Sequence, residues 1–173
     1  MQVGQVDQIE PAHFRRVMSR FATGVTVVVA TANGETRGMT ANAFMSGSLD
    51  PPLCLVSVRR EAHMHAHLRA ARSFSVNILA AGQEDYAMHF AGRPILGFAA
   101  TFASLAGVPT LACASAQIAA EIAAEHDCGD HTIFIGRIRG MTADERPPLL
   151  YHAGHYAALG PVRAADAPTP EFW

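Results

Sequence analysis

Short apolar runs bounded by turn residues recur along the chain and predict a strand-rich architecture. The runs VTVVVAT and TRGMTANAFM flank Asn33-Gly34, a dipeptide that favours the tight turn of a β-hairpin. Three further runs, LCLVSVR, SFSVNIL and HTIFIGRIRG, have the β-branched and aromatic content of buried strands. The third of these follows the turn sequence DCGD. We therefore expect six or more strands.

Apolar residues at helical spacing predict about three short helices. In PAHFRRVMSRF, the residues Phe14, Val17, Met18 and Phe21 lie three or four positions apart, and Pro11 suits a first helical turn. EAHMHAHLRAAR and QEDYAMHFAG predict two more helices. These helices do not alternate regularly with the strands, so the pattern favours an antiparallel sheet or barrel with peripheral helices over a doubly wound fold.

The segment CASAQIAAEIAAEH is ambiguous, because its alanine content favours a helix on propensity alone. Its alternation favours a strand, with Ile118, Ile122 and Ala124 on one side of an extended chain. Glu121 and Glu125 fall on the other side. Together with the DCGD turn and the β-branched run after it, this alternation predicts a long hairpin.

Composition fits one compact domain, since half of the 173 residues are hydrophobic and 16% are charged. We assign residues 1–160 to this domain and residues 161–173 to an extended C-terminal tail. The net charge is -2 and all thirteen basic residues are scattered arginines. No basic stripe is present to neutralise a nucleic-acid backbone, so we expect no nucleic-acid partner.

The three cysteines predict neither a disulfide framework nor a thiolate metal site. Cys54, Cys113 and Cys128 are odd in number, far apart and in no C-x-x-C arrangement. The N-terminus lacks the pattern of a signal peptide, and no apolar run approaches the roughly 20 residues that span a bilayer. We therefore expect a cytoplasmic protein with no membrane partner.

Several common catalytic and nucleotide-binding motifs are absent from the sequence. No G-x-G-x-x-G follows a strand, and neither G-x-x-x-x-G-K-[ST] nor G-x-S-x-G occurs, which disfavours Rossmann dehydrogenases, P-loop enzymes and α/β-hydrolases. The sequence HMHAH places His63 and His67 on one face of a predicted helix. Zinc sites need a third protein ligand, which the motif does not supply, so we predict no metal.

The stretch TANAFMSGSLDPPL combines hydroxyls, an amide and a rigid exit. Thr40 and Asn42 fall on the same side of an extended chain, and the two prolines fix the backbone that follows. Such a corner suits a phosphate, and it equally suits an ordinary strand-loop-strand connection. His131 at a strand start and the sequence YHAGHY likewise fit either surface and packing positions or the wall of a flat ligand.

Five stretches, taken together and in order, resemble the short-chain flavin reductases. They are FATGVTVVVA, GMTANAFMSGSLDPPL, FSVNIL with QEDYAMHFAG, GDHTIFIGRI and PLLYHAGHY. Members of this family have an FMN-binding split-barrel domain and serve as reductase components of two-component flavin-dependent monooxygenases. The resemblance implies a mainly β fold, an antiparallel split β-barrel with a few short peripheral helices. It also implies a homodimer that binds FMN or FAD near the subunit interface, with NADH or NADPH stacked on the flavin.

Carried over position by position, the resemblance implies a set of ligand contacts. The flavin ring would lie against Met39, Thr40, Ala41 and Asn42, largely through backbone groups. The phosphate side would be formed by Ser46, Gly47, Ser48, Leu49, Asp50 and Pro51. The opposite side of the flavin would contact Asn77, Ala80, Gln83 and Phe90, and the nicotinamide would contact His131 and Tyr156. No acid–base residue is required, since hydride passes between stacked rings.

One segment departs from the family pattern. Many relatives carry Ser or Thr after the third strand to help hold phosphate, where this chain has RREAHMH, so Arg59, Arg60 or His63 would substitute. The implied activity is an NAD(P)H:flavin oxidoreductase that supplies reduced flavin to a separate monooxygenase. Two alternatives keep the fold: a flavin-dependent reductase of a corrinoid or ferric chelate, and a non-catalytic module that binds flavin or haem.

Overall fold

Antiparallel strands dominate the computed structural model, which describes residues 9–160; the predicted C-terminal tail at 161–173 lies outside this range. The helices are α1 (Pro11–Met18), α2 (His63–Ala71) and α3 (Glu84–Phe90). The strands are β1 (Thr23–Gly24), β2 (Thr26–Ala32), β3 (Glu35–Ala41), β4 (Phe44–Leu49), β5 (Pro52–Arg59), β6 (Ser73–Ile78), β7 (Phe102–Leu105), β8 (Val108–Leu111), β9 (Ala116–Cys128), β10 (His131–Ala143), β11 (Leu150–His152) and β12 (His155–Ala157). The mainly β, antiparallel fold predicted from the sequence is confirmed.

The main sheet has seven strands in the order β3-β2-β6-β9-β10-β5-β4. Its two edge strands, β3 and β4, are consecutive in the chain and are joined only by Asn42 and Ala43. Three Cα–Cα steps cover at most about 11 Å, so the two edges of the sheet must meet at this point. The sheet therefore coils into a barrel that is split between β3 and β4.

The interior of the barrel is filled by large apolar side chains. Phe74 from β6 and Phe134 from β10 are fully buried there, together with valines from β2, β5 and β6. Helix α2 adds Met64 and Leu68 to the same cluster, so its apolar face covers one end of the barrel. This packing accounts for the alternation of buried and partly exposed residues along β5 and β10.

A second apolar layer lies on the outside of β2. Val25, Val27 and Val29 are buried against residues of α3, β8 and the segment before β11, including Leu111 and Leu149. Because β2 is covered on both faces, its sequence TVVVATA does not alternate between apolar and polar residues. A hairpin of β7 and β8, which the sequence analysis did not predict, helps to form this layer.

Two local predictions were wrong in detail, each for an identifiable reason. The run TRGMTANAFM is not one strand, because the chain bends at Asn42 and Ala43 between β3 and β4. The strand β9 is confirmed, but its pairing with β10 shifts by one residue between Ile122 and Ala124. The shift turns Ala124 outward and Glu125 toward α2, where the Glu125 carboxylate lies 2.9 Å from Nε of Arg69.

The three cysteines are free thiols, with Cys54 buried in the barrel and Cys128 exposed at the end of β9. Within residues 9–160 no helix is long and apolar enough to cross a membrane. Two of the three histidines of HMHAH are bound within the fold. Nε2 of His65 lies 2.9 Å from the Thr132 hydroxyl, and Nε2 of His67 lies 3.2 Å from the Ala30 carbonyl.

Candidate functional site

The bend at Asn42 and Ala43 is the point from which the two edges of the split barrel diverge. The Ala43 carbonyl accepts a hydrogen bond from the Ser57 backbone N–H at 3.0 Å, which attaches the bend to β5. Ser57 pairs with Ile133 of β10, and two residues further along Arg59 pairs with His131. Standard strand spacings then place His131 about 12 Å from the bend.

Three of the residues predicted to contact the flavin ring use their side chains within the fold, namely Met39, Thr40 and Ala41. Met39 and Ala41 pack against the barrel interior, and the Thr40 hydroxyl donates a 2.7 Å hydrogen bond to the Ala87 carbonyl of α3. Asn42 is exposed. What β3 leaves for a ligand is therefore the Asn42 amide and a backbone edge that pairs with no other strand within residues 9–160.

The predicted phosphate corner, Ser46 to Pro51, lies along β4 and the turn that follows it. Ser46 and Ser48 are half-buried, whereas Leu49 at the end of the strand is 82% exposed. From Phe44 to Asp50 the chain advances about 20 Å. The structure therefore brings Ser46 near the bend, but it holds the DPP turn at the far end of β4, away from His131.

The Asn77 side chain is engaged within the fold. It is fully buried, and its amide nitrogen donates 2.9 Å hydrogen bonds to the Val27 carbonyl and to the Ser75 hydroxyl. Its amide oxygen accepts a hydrogen bond from the Leu111 N–H at 2.8 Å. Asn77 therefore ties β2, β6 and β8 together, and its contact with flavin stays a prediction.

Gln83 and Ala80 form a similar internal contact. The Gln83 amide oxygen accepts a 2.7 Å hydrogen bond from the Ala80 N–H, and its nitrogen donates to the Cys113 carbonyl at 2.8 Å. Ala80 is 3% exposed. These contacts fix the start of α3 beside β6, and the flavin contact implied for Ala80 and Gln83 stays a prediction.

Phe90 and Tyr156 are half-buried and pack against the second apolar layer. The Phe90 ring covers Gly38 of β3 so closely that a Cβ there would lie 2.6 Å from two ring carbons. Tyr156 meets Tyr151 edge-to-face at 5.6 Å, and burial raises the pKa of the Tyr156 phenol. Tyr156 lies on β12, which pairs with β11, and β11 in turn pairs with β1 directly before β2.

His131 is held by its neighbour in the chain. The Asp130 carboxylate accepts a hydrogen bond from Nδ1 of His131 at 2.7 Å, and Nε of Arg59 lies 3.7 Å from the other carboxylate oxygen. The His131 hydrogen bond, with a smaller effect from the Arg59 charge, lowers the pKa of Asp130. With Nδ1 directed at Asp130, Nε2 is the ring atom that remains for a ligand.

The three candidate phosphate ligands of the segment RREAHMH, which are Arg59, Arg60 and His63, have different surroundings in the fold. Arg60 donates a 2.6 Å hydrogen bond to the Gly129 carbonyl and so holds the turn between β9 and β10. His63 begins α2 after Ala62, which makes no side-chain cap. Arg59 is 61% exposed and lies beside His131.

Sequence reasoning missed Ala43, Ser57 and the Asp130 side chain as parts of the site. Ala43 and Ser57 act through backbone pairing, which no side-chain pattern reveals. For Asp130 the sequence GDH does contain an indication, because a carboxylate directly before a histidine can bind its ring.

Comparisons with known proteins all point to flavin reductases. A family model described as "Flavin reductase like domain" matches residues 18–160. An NADH-dependent flavin reductase of Rhodococcus sp is 40% identical over 161 residues, covering 90% of this chain and 91% of that protein. The reductase component of 4-hydroxyphenylacetate 3-monooxygenase from Thermus thermophilus is 40% identical over 84% of this chain and 95% of its own length.

Solved structures agree with this assignment. The flavin reductase PheA2 in its native state superposes with a TM-score of 0.86 at 40% sequence identity, covering 88% of this chain and all of that one. The barrel, the bend and the His131 turn all lie within the residues that the family model covers. The chain therefore belongs to the family of flavin reductase like domains.

Proposed function

We propose that this protein is an NADH-dependent flavin reductase that transfers hydride from NADH to FMN or FAD. The observation that carries the proposal is the split between β3 and β4, whose strand edges diverge at the Asn42–Ala43 bend, about 12 Å from His131. Unpaired backbone groups of an edge strand suit the alternating N–H and C=O edge of a flavin, and half-buried apolar residues suit its ring.

The residues at the bend support binding and orientation and need not transfer protons. The bound flavin supplies the electron-accepting chemistry. Backbone N–H groups at the edge of β3 would stabilise the negative charge that reduced flavin gathers at its polar edge. Nε2 of His131, fixed by Asp130, would orient the nicotinamide so that its hydride lies over the flavin. Hydride transfer between stacked rings then depends on placement and requires no acid–base pair.

We further propose that reduced flavin passes to a separate flavin-dependent monooxygenase. The relative from Thermus thermophilus is named as the reductase component of a monooxygenase, and it matches 84% of this chain. Reduced flavin can pass to the oxygenase within a complex of the two proteins or by free diffusion, and an experiment can distinguish these two routes. With free diffusion, the oxygenase reaction supported by this reductase proceeds when the two proteins are separated by a dialysis membrane.

The apolar face of α1 supports a homodimer. No residue of α1 is buried, and Phe14, Val17 and Met18 remain 52–55% exposed, as does Phe21 beyond its end at 75%. Exposed apolar residues at helical spacing indicate a face that another protein surface covers. Light scattering during gel filtration should give twice the 18.4 kDa chain mass. The variant Val17→Asp, which places a charge in that face, should shift the protein toward the chain mass.

The activity is tested by following NADH oxidation by the purified protein with and without added FMN, FAD or riboflavin. We expect oxidation only when a flavin is present, with each flavin titrated separately to rank the acceptors. NADPH in parallel assays defines the donor preference. Tight retention of flavin or haem with no NADH oxidation would refute the proposal and favour a storage module. Anaerobic reduction of a corrinoid or ferric chelate faster than free flavin would favour the alternative acceptors.

A further inference from the structure

Arg59 and His131 project from the same surface of the barrel. They are direct cross-strand partners at the end of β5 and the start of β10. Side chains of such partners point to the same face of the sheet, with Cβ atoms about 5 Å apart. The Arg59 side chain is 61% exposed and that of His131 is 38% exposed, so both reach solvent on that face.

The Arg59 guanidinium is positioned by charge but is not engaged in a hydrogen bond in the described part of the chain. Its Nε lies 3.7 Å from an Asp130 oxygen and 3.9 Å from a Glu61 oxygen, both beyond hydrogen-bond distance. The two carboxylates are themselves largely exposed. Arg60, by contrast, donates a 2.6 Å hydrogen bond to Gly129. Arg59 can therefore take an anionic ligand without losing a hydrogen bond.

We propose that Arg59 binds the diphosphate of the nicotinamide dinucleotide whose nicotinamide contacts His131, an inference that rests on the proposed function. A planar guanidinium matches paired phosphate oxygens, and the ion pair adds charge to each hydrogen bond. The diphosphate is joined to the nicotinamide through one ribose, so it lies within reach of a neighbouring side chain. Asp130 then has two functions: one oxygen orients His131 and the other draws Arg59 to the same side.

The flavin phosphate is the other phosphate that could reach Arg59. The predicted phosphate corner runs along β4 away from the bend, and its DPP turn is about 20 Å from Phe44. Arg59 lies at the opposite end of the β4–β5 pair, because Leu49 pairs with Pro52 and Phe44 pairs with Val56. The placement therefore favours the dinucleotide over the flavin as the source of the phosphate.

The test uses Arg59→Gln, with riboflavin as acceptor so that only the dinucleotide carries phosphate. We expect the KM for NADH to rise about five- to twentyfold, as for the loss of one partly exposed charge-assisted hydrogen bond, with kcat changed less than about twofold. The KM for NADPH should rise by the same factor, since both dinucleotides share the diphosphate. Arg59→Lys, which keeps the charge, should recover part of the loss.

Arg139→Gln is the matched control. Arg139 lies on the same strand as His131, eight residues away or about 26 Å, and its side chain is 52% exposed and paired with Glu121. Its removal should leave the KM for NADH unchanged. Circular dichroism and thermal melts of all variants separate loss of binding from loss of folding, and titration calorimetry with ADP-ribose measures the same contact without catalysis.

The outcomes distinguish this proposal from the proposed function. An unchanged KM for NADH in folded Arg59→Gln would overturn the role of Arg59 while the wild-type activity stands. A loss that appears only with FMN, relative to riboflavin, would assign Arg59 to the flavin phosphate, and a loss confined to NADPH would assign it to the 2′-phosphate; either refutes the diphosphate contact. If the wild type reduces no flavin, ADP-ribose affinity still decides whether Arg59 binds a diphosphate.

Discussion

Asn77 and Asn42 are expected to respond to alanine substitution in opposite ways. Asn77 is fully buried and makes three hydrogen bonds, to Val27, Ser75 and Leu111. Asn42 is exposed at the bend. Asn77→Ala removes an internal connection between strands, whereas Asn42→Ala removes a side chain that faces the proposed flavin site. The pair therefore tests which of the two asparagines supports the fold and which supports the ligand.

The magnitude for Asn77→Ala follows from its hydrogen bonds. Each lost bond costs about 1 kcal/mol, and leaving the Leu111 N–H buried without a partner adds about 1–2 kcal/mol. The total is about 4–5 kcal/mol, a large part of the roughly 5–15 kcal/mol that stabilises a domain of this size. At about 2–4 °C per kcal/mol, the melting temperature should fall by about 10 °C or more.

The assay combines urea denaturation, thermal melts and steady-state kinetics at a temperature where both variants are folded. Asn77→Ala should lower the urea midpoint without a change in the denaturant slope, and should leave the KM for flavin close to that of the wild type. Asn42→Ala should leave the free energy of unfolding within about 0.5 kcal/mol of the wild type and raise the KM for flavin. A stable Asn77→Ala protein with a raised KM for flavin would refute the reasoning and return Asn77 to the ligand contacts.

Three further predictions follow from the geometry of the site and the core. His131→Ala should raise the KM for NADH by about tenfold while flavin affinity stays nearly unchanged; equal loss for both ligands would argue against a nicotinamide contact. Gly38→Ala should lower stability by about 1–3 kcal/mol in urea titration, because the new Cβ would lie 2.6 Å from the Phe90 ring; an unchanged midpoint would mean that the ring moves freely. Burial raises the pKa of the Cys54 thiol from 9.0 to about 11. The neutral buried thiol therefore contributes its full share to the free energy of unfolding below pH 9, and this contribution is lost as the pH rises toward 11. At pH 8 a thiol reagent should therefore modify exposed Cys128 and leave Cys54 intact until the protein unfolds.

Strand alternation and turn chemistry predicted most of the fold. The Asn33-Gly34 turn does connect β2 and β3, and β9 is a strand despite its alanine-rich composition. Tertiary pairing with β6 and β10 outweighs the helix propensity of that segment. The register shift in β9 was not predictable from the sequence. The pattern of apolar and polar residues continues through the bulge, so it does not mark the extra residue.

The candidate site was predicted less completely, and the resemblance supplied most of its residues. Sequence position marks a residue as near a ligand but does not show whether its side chain faces outward. The resemblance implies that Asn77 and Gln83 contact the flavin, and in the fold their side-chain amides also bind backbone groups, the Leu111 N–H and the Cys113 carbonyl. Arg59 gains its proposed role only from its pairing with His131, which joins residues that are far apart in the sequence.

The central claim is tested most directly by mixing the protein with NADH and FMN in the absence of oxygen and following the visible absorbance of oxidised flavin. A flavin reductase predicts that each NADH bleaches one FMN, and that the reaction does not occur at the same rate without protein. NADH transferring deuteride from its C4 position should show a slowed bleaching step when hydride transfer limits the rate. Unchanged flavin absorbance over many protein equivalents of NADH would contradict the account.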